Sequence, residues 1–481
     1  MKKIIGIVVA LLVLAAFALP AVIGPATEKQ LRQAIADANQ QQGVIEATVT
    51  SYERSYRSAT ATINIGLSQE YLQQMAGDGS DSDEKIGELL GAVDNLIPLQ
   101  LEIEHGPVLM KFAKGLGLNS VRTTLGDNEA LTAIRDKTGI TDILEVVGKT
   151  GLTGSGAFDI KMPPMQAAFD RNGTLDFSGL NGDATWNNGS QRLIMKAKSD
   201  ATKVSDDVTT FLMEGMTMDI DSRFVQSNLA VGTSTFDIAH VEFESFSIPD
   251  APSMSLDKLG FVTDVSLGNN DLMNIGVTYN VGQAVAGEFN ISDATARVEF
   301  NNIKPEVVEK YQELAANPVM DAAQIAALQD LLYDALTSSP ELNIGPVRFM
   351  ANGETFDGIM NVTVDSAALP DASTFNFMDP GMWMGVISQT LDVNATEGLV
   401  NEIAEGYMLQ QIIATAPQDQ QGMPADLQAL VEQQRQVMLD QLIGQGMITR
   451  TDTGYAVDVD FDKGEMTVNG NPFPIEALLG P

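Results

Sequence analysis

The chain has no cysteine and only 2 histidines, and its 28 Lys and Arg are outnumbered by 64 Asp and Glu. Each scarcity removes a class of function. Without cysteine there is no disulfide framework, thiolate metal site, iron–sulfur cluster or cysteine nucleophile. Two histidines cannot build a multi-histidine metal centre without heavy carboxylate help. A net charge of -36 leaves no basic stripe to grip nucleic-acid phosphates. What is present is a folding chain: 44% of its 481 residues are hydrophobic, so it is not an acidic disordered tail. That length suits two to four ordinary domains or one long repetitive one.

The N-terminus opens with Lys2-Lys3, followed by an uncharged apolar run from Ile4 to Ile23. As a helix this run spans about 30 Å, the thickness of a hydrocarbon core. The basic start predicts that Met1–Lys3 stay in the cytoplasm and that everything after Pro25 lies outside. A cleaved signal peptide is the competing reading, because Ala16-Phe17-Ala18 has the small-x-small form and Pro20 would end the apolar region. The run continues through Ala21, Val22 and Ile23, beyond the usual length of a signal core, which favours a retained anchor. Both readings export the rest.

Residues 1–25 therefore form the basic start and transmembrane anchor, and 26–43 a juxtamembrane helix with Leu31, Ala34, Ile35 and Ala38 on one face. From Val44 to about Phe300 the period is two. Leu99, Leu101 and Ile103 alternate with polar residues, as do Met216, Met218 and Ile220, and Ile275, Val277 and Tyr279. Turn clusters such as Arg171-Asn172-Gly173 and Gly268-Asn269-Asn270-Asp271 close the runs. Such alternation predicts antiparallel sheet with one face covered and one wet. Asp78 to Glu84 reads as an acidic loop, and Asn128 to Val147 as partly helical. Helical insertions are expected at about 305–337 and 397–443, the second carrying a stripe of Leu427, Leu430, Val431, Met438 and Leu442. Ile344 to Val364 returns to strand, and the chain ends in a hairpin turning at Asp462-Lys463-Gly464. The expected fold is α+β, predominantly antiparallel β: a long curved sheet with helical insertions and one N-terminal transmembrane helix, with 44–481 as its exported β-rich domain.

Candidate chemistry is sparse. His105 ends an apolar strand face before Gly106-Pro107, the place of a buried hydrogen-bonding residue at a turn. His240 stands near Asp237, Glu242 and Glu244, a group able to hold a cation weakly, but without metal-ligand spacing. Asp458, Asp460 and Asp462 resemble the start of a calcium loop. Lys463 occupies its glycine position and Asn469 its glutamate position, so an amphipathic strand is the better reading. Gly148-Lys149-Thr150 lacks the upstream glycine of a phosphate loop, Ile143 standing there. Ser155, flanked by Thr153 and Ala157 two residues away, lacks the nucleophile-elbow pattern. No catalytic, cofactor-binding or metal residue is assigned. The methionines, with clusters at Met213, Met216 and Met218 and around Trp383, read as core filling before an adaptable apolar surface.

Several short patterns together resemble the YdgA-like family of bacterial inner-membrane proteins. They are the basic start with one apolar helix; Tyr52-Glu53-Arg54-Ser55-Tyr56-Arg57-Ser58, with Ser55 where the family has glycine; Glu104-His105-Gly106-Pro107; and the closing Gly464-Glu465-Met466-Thr467-Val468-Asn469-Gly470 with Pro474-Ile475. The resemblance implies a single-pass inner-membrane protein with its bulk in the periplasm. It assigns no catalytic role to its motif residues Tyr52, Arg54, Ser58, His105, Gly106, Pro107, Asn469 and Gly470, which read as structural. The expected function is non-catalytic: an anchored envelope protein, with the bilayer as partner through residues 4–23, binding an apolar or extended ligand such as a lipid or polypeptide. The rival readings are a homodimeric scaffold and, behind it, an envelope hydrolase centred on His105.

Overall fold

The period-two alternation becomes antiparallel strands nearly throughout. The structure, a computed structural model, describes Leu31, Arg32, Gln33, Ile35, Ala36 and Asn39 together with residues 45–55, 58–68, 97–105, 108–169, 172–225, 229–245, 253–268, 270–315, 322–415 and 427–474. The apolar segment 4–23, the acidic loop 78–84 and Gly106-Pro107 lie outside these residues. Among the described residues no helix is long and apolar enough to cross a membrane.

The chain divides into two compact units, residues 1–251, 264–266 and 305–331, and residues 252–263, 267–304 and 332–481. In the first, the strands are β1 (Ile45–Arg54), β2 (Ser58–Leu67), β3 (Ile97–His105), β4 (Val108–Leu109), β5 (Gly115–Leu116), β6 (Asn119–Leu125) and β7 (Glu145–Thr150). They continue with β8 (Gly156–Met162), β9 (Met165–Ala168), β10 (Thr174–Phe177), β11 (Leu180–Asn187), β12 (Arg192–Ser205), β13 (Thr209–Phe224) and β14 (Ala230–Ser245). Pairing runs β1–β2–β3–β6–β7–β8–β11–β12–β13–β14, every step antiparallel. β10 joins the far end of β12, and β4–β5 form a small separate ribbon.

Register aligns Leu101, Thr123, Val146, Ile160, Gly182 and Ala197 on six adjacent strands. Their face, with Ile63, Ile65 and Leu99 each 2% exposed, is the core, and the helical residues Leu31 and Ile35 are buried in it. The helix expected within 26–43 therefore contributes Leu31 and Ile35 to the core. Asn39 fastens it: its side-chain amide donates to the Ala47 carbonyl at 2.9 Å and accepts from the Ala47 N–H at 2.8 Å.

Gly148 has a packing reason. A Cβ there would stand 2.1 Å from the Phe158 ring, which lies across it. The predicted helix within 128–147 is α1 (Glu129–Thr138), capped by Asn128, which accepts from the Leu131 N–H at 2.7 Å, and stopped by Gly139 at φ 70°.

β15 (Met254–Leu267) is divided between the units. The second unit holds β16 (Met273–Ala286), β17 (Phe289–Ile303), β18 (Glu341–Ala351), β19 (Glu354–Val364), β20 (Ile387–Thr396), β21 (Thr449–Arg450), β22 (Gly454–Asp462), β23 (Glu465–Val468) and β24 (Asn471–Pro472). Pairing follows β16–β17–β18–β19–β20–β22–β23–β24, with the short β21 also on β22. The helices after α1 are α2 (Pro305–Ala315), α3 (Ala322–Leu336), α4 (Pro380–Val386), α5 (Glu397–Thr415) and α6 (Leu427–Gly444). α5 packs on β19, β20, β22 and α6.

Two features differ from expectation. The Met382-Trp383-Met384 cluster sits on α4, started by the Asp379 cap and Pro380, and β20 follows at once. On α6, Val431 and Leu439 are buried while Leu430 faces out, and the half-buried Arg435, four residues from each, is ion-paired with Glu405 of α5.

Candidate functional site

The apolar core of the first unit ends in a polar row. His105 on β3 pairs with Asn119 on β6, Asn119 with Thr150 on β7, Thr150 with Gly156 on β8, and Gly156 with Trp186 on β11. Strand alternation puts His105, Asn119 and Thr150 on the core face, 4%, 2% and 1% exposed. Among the described residues His105 Nε2, Asn119 Oδ1 and Trp186 Nε1 are buried without a hydrogen-bond partner. Burial, and then the charge of Arg54, push the His105 imidazole below its ordinary pKa of 6.5, so it is neutral at pH 7. His105, Asn119 and Trp186 thus bring uncharged, unmet polar atoms to the rim of a dry core, suited to a neutral polar group.

On the other face of β3, Glu104 departs from expectation. The alternation predicts a wet side chain, yet it is buried because the chain after β3 folds back over it. Its carboxylate accepts from the Met110 N–H at 3.0 Å, the Lys111 N–H at 2.8 Å and the Ser120 hydroxyl at 3.2 Å. Gly117 lets the returning chain pass, since a Cβ there would stand 2.7 Å from both Leu109 Cδ1 and the Thr150 carbonyl oxygen.

The outer face of β8, β11, β12, β13 and β14 carries a shallow groove of about 660 Å³. Asp159, Asp183, Asp219 and Asp237 alternate there with Lys161, Lys196 and Lys198, and Lys196 pairs with Asp219 at 2.7 Å. This mixture of signs is a solvated face, with no convergent trio of carboxylates or imidazoles.

The second unit carries an extended apolar row. Val277, Val298, Ile344, Met360, Leu391 and Val459 form one unbroken row across six strands. The adjacent row on the opposite face is polar: Glu299, Asn343, Asn361, Thr390 and Asp460. The apolar row is only half-buried, in contrast to the first unit's core, and Tyr279 and Phe300 on the same face are 49% and 44% exposed.

The remaining predicted residues are scattered. Tyr52 is half-buried beside the first core, Arg54 is exposed, and the Ser55 and Ser58 hydroxyls bond at 2.7 Å across the β1–β2 turn. Asn469, at φ 50°, donates to the Gly446 carbonyl and accepts from the Asp458 N–H, tying the last hairpin to the end of α6, and Gly470 follows at φ 74°. Strand alternation separates His240 from Asp237, and its Nε2 lies 3.9 Å from Glu242. Ser155 Oγ accepts from the Asn188 N–H in a loop contact. Asp458, Asp460 and Asp462 line an exposed strand face. Asn119, Trp186 and Glu104 escape sequence reasoning because only the long-range register gathers them. No curated protein and no solved structure matches the chain. Its sequence does fit one description from end to end: over residues 1–476 it belongs to the family of bacterial proteins of unknown function designated DUF945.

Proposed function

We propose that this is a non-catalytic cell-envelope protein, anchored in the bacterial inner membrane by residues 4–23 with its bulk in the periplasm, that holds hydrocarbon chains of lipid against the apolar face of its second unit. The observation that carries the reading is the half-buried row from Val277 to Val459. An extended polypeptide brings amide groups that need partners, which a sheet edge supplies and a sheet face does not. An acyl chain has no such need and gains roughly 0.8 kcal/mol for each buried methylene. The closed, neutral setting of His105 supports a non-catalytic role, since a general base must reach solvent or substrate. The likeness of the N-terminal and His-Gly-Pro motifs to YdgA-like proteins supports the anchor.

The test is mass spectrometry of lipids co-purified with the full chain in detergent. Enrichment over a control single-pass protein is expected, with a several-fold drop in the Val298→Glu, Met360→Glu double variant. Equal lipid in protein and control sinks the reading. A second reading, a homo-oligomeric scaffold, is favoured by the exposed Ile403 and Tyr407 on α5 and Val437 on α6. It predicts that Ile403→Glu with Val437→Glu lowers the apparent mass on gel filtration.

A further inference from the structure

The strand connections of the first unit separate by charge. At the end marked by His105, the described residues of the stretches joining paired strands are 55, 108–118, 151–155, 188–191, 225 and 229. They contain Lys111 and Lys114 and not one Asp or Glu. At the chain average of 64 acids in 481 residues they would hold about three. At the opposite end, the described residues 68, 126–144, 163–169, 172–179 and 206–208 include 7 acidic and 2 basic ones. Neighbouring stretches of chain alternate between the two ends, so this polarity is invisible along the sequence and appears only once the register is known.

The acid-free end also displays bulky apolar side chains. Met110, Leu116 and Leu152 are 66%, 67% and 61% exposed. The basic groups stand among them: Lys111 lies 4.8 Å over the Phe112 ring and 3.1 Å from Glu102, Lys114 is exposed, and Lys149 Nζ lies beside Gly115. Glu104 holds the backbone beneath Met110 and Lys111, so this tip is presented from a fixed base.

We propose that this end of the first unit docks on the surface of an anionic lipid bilayer. Ammonium groups among exposed Met and Leu and the half-buried Phe112 match the headgroup boundary, where charge meets phosphate and apolar side chains enter the outer acyl region. The opposite end is repelled by the same surface. The strands of this unit therefore stand end-on to the membrane, with the acidic connections away from it. The inference is independent of acyl-chain binding by the second unit.

The absence of native cysteine makes the test direct. Leu116→Cys and Asp207→Cys each receive an environment-sensitive dye in the full chain, reconstituted into vesicles of phosphatidylcholine alone or mixed with phosphatidylglycerol. Spin-labelled lipid is expected to quench the dye at position 116 in the mixed vesicles, and to leave position 207 unquenched in both. Adding Lys111→Gln and Lys114→Gln to Leu116→Cys lowers the docked-to-undocked ratio roughly fivefold for each lysine removed. An unchanged thermal unfolding curve by circular dichroism confirms the fold of each variant. Position 116 quenched no more than position 207, equal quenching in both vesicles, or no effect of removing the lysines overturns the proposal. The lipid co-purification experiment is made in detergent without vesicles, so the two readings fail separately.

Discussion

His105 is neutral in the fold and titrates normally in the unfolded chain, and that difference has a sign. As pH falls below about 6.5, the unfolded state takes up a proton that folded His105 does not, so its contribution to stability is lost from there down to the lowered value. The loss reaches at most about 1.4 kcal/mol per pH unit within that window. Urea unfolding at about pH 7 and about pH 5 checks it: His105→Gln is expected to flatten the decline. Glu104 supplies a second test. Glu104→Gln keeps the shape but removes the charge that three donors share, and is expected to cost about 1–3 kcal/mol and to speed tryptic cleavage after Lys111 and Lys114. Gly148→Ala drives a methyl into the Phe158 ring and is expected to cost about 1–3 kcal/mol by overpacking, with partial rescue by Phe158→Leu in the same denaturation assay.

Elements made of local signals were the legible part of the sequence. The helical stretch within 128–147, the two helical insertions and the final hairpin all announce themselves within a few residues. His105 was placed on the right face of β3 by counting alone, because period-two alternation fixes a face without knowing the neighbour. Glu104 defeats the same count, since the cover over it arrives from a connection whose path the alternation does not encode. The polar row is likewise silent in the sequence: Trp186 lies far along the chain from His105 and joins its row through four successive pairings. The two apolar faces also read alike in sequence and differ in cover. Ala61→Glu on the filled core is expected to abolish folding of the first unit, whereas Val298→Glu on the half-buried face is expected to cost roughly 1 kcal/mol, as circular dichroism melts would show.

For the whole molecule, a charge of -36 means self-repulsion, and among the described residues most of the acids are exposed on strand faces and connections. The melting temperature is therefore expected to rise as salt is raised from near zero towards the physiological range, where the screening length shrinks to about 8 Å. Reversing part of the acidic end, with Asp206→Lys and Asp207→Lys, is expected to weaken that salt response. One small device sets the terms on which such a long sheet stays single. β1 borders the first sheet, and a bare border of unpaired amides invites another chain to add itself. Asn39 answers Ala47 with a side-chain amide that presents the donor and acceptor of an absent strand. A single residue thus signs off the sheet. Because it precedes β1 in the chain, the growing fold closes its own vulnerable margin with a residue made before the strand it guards.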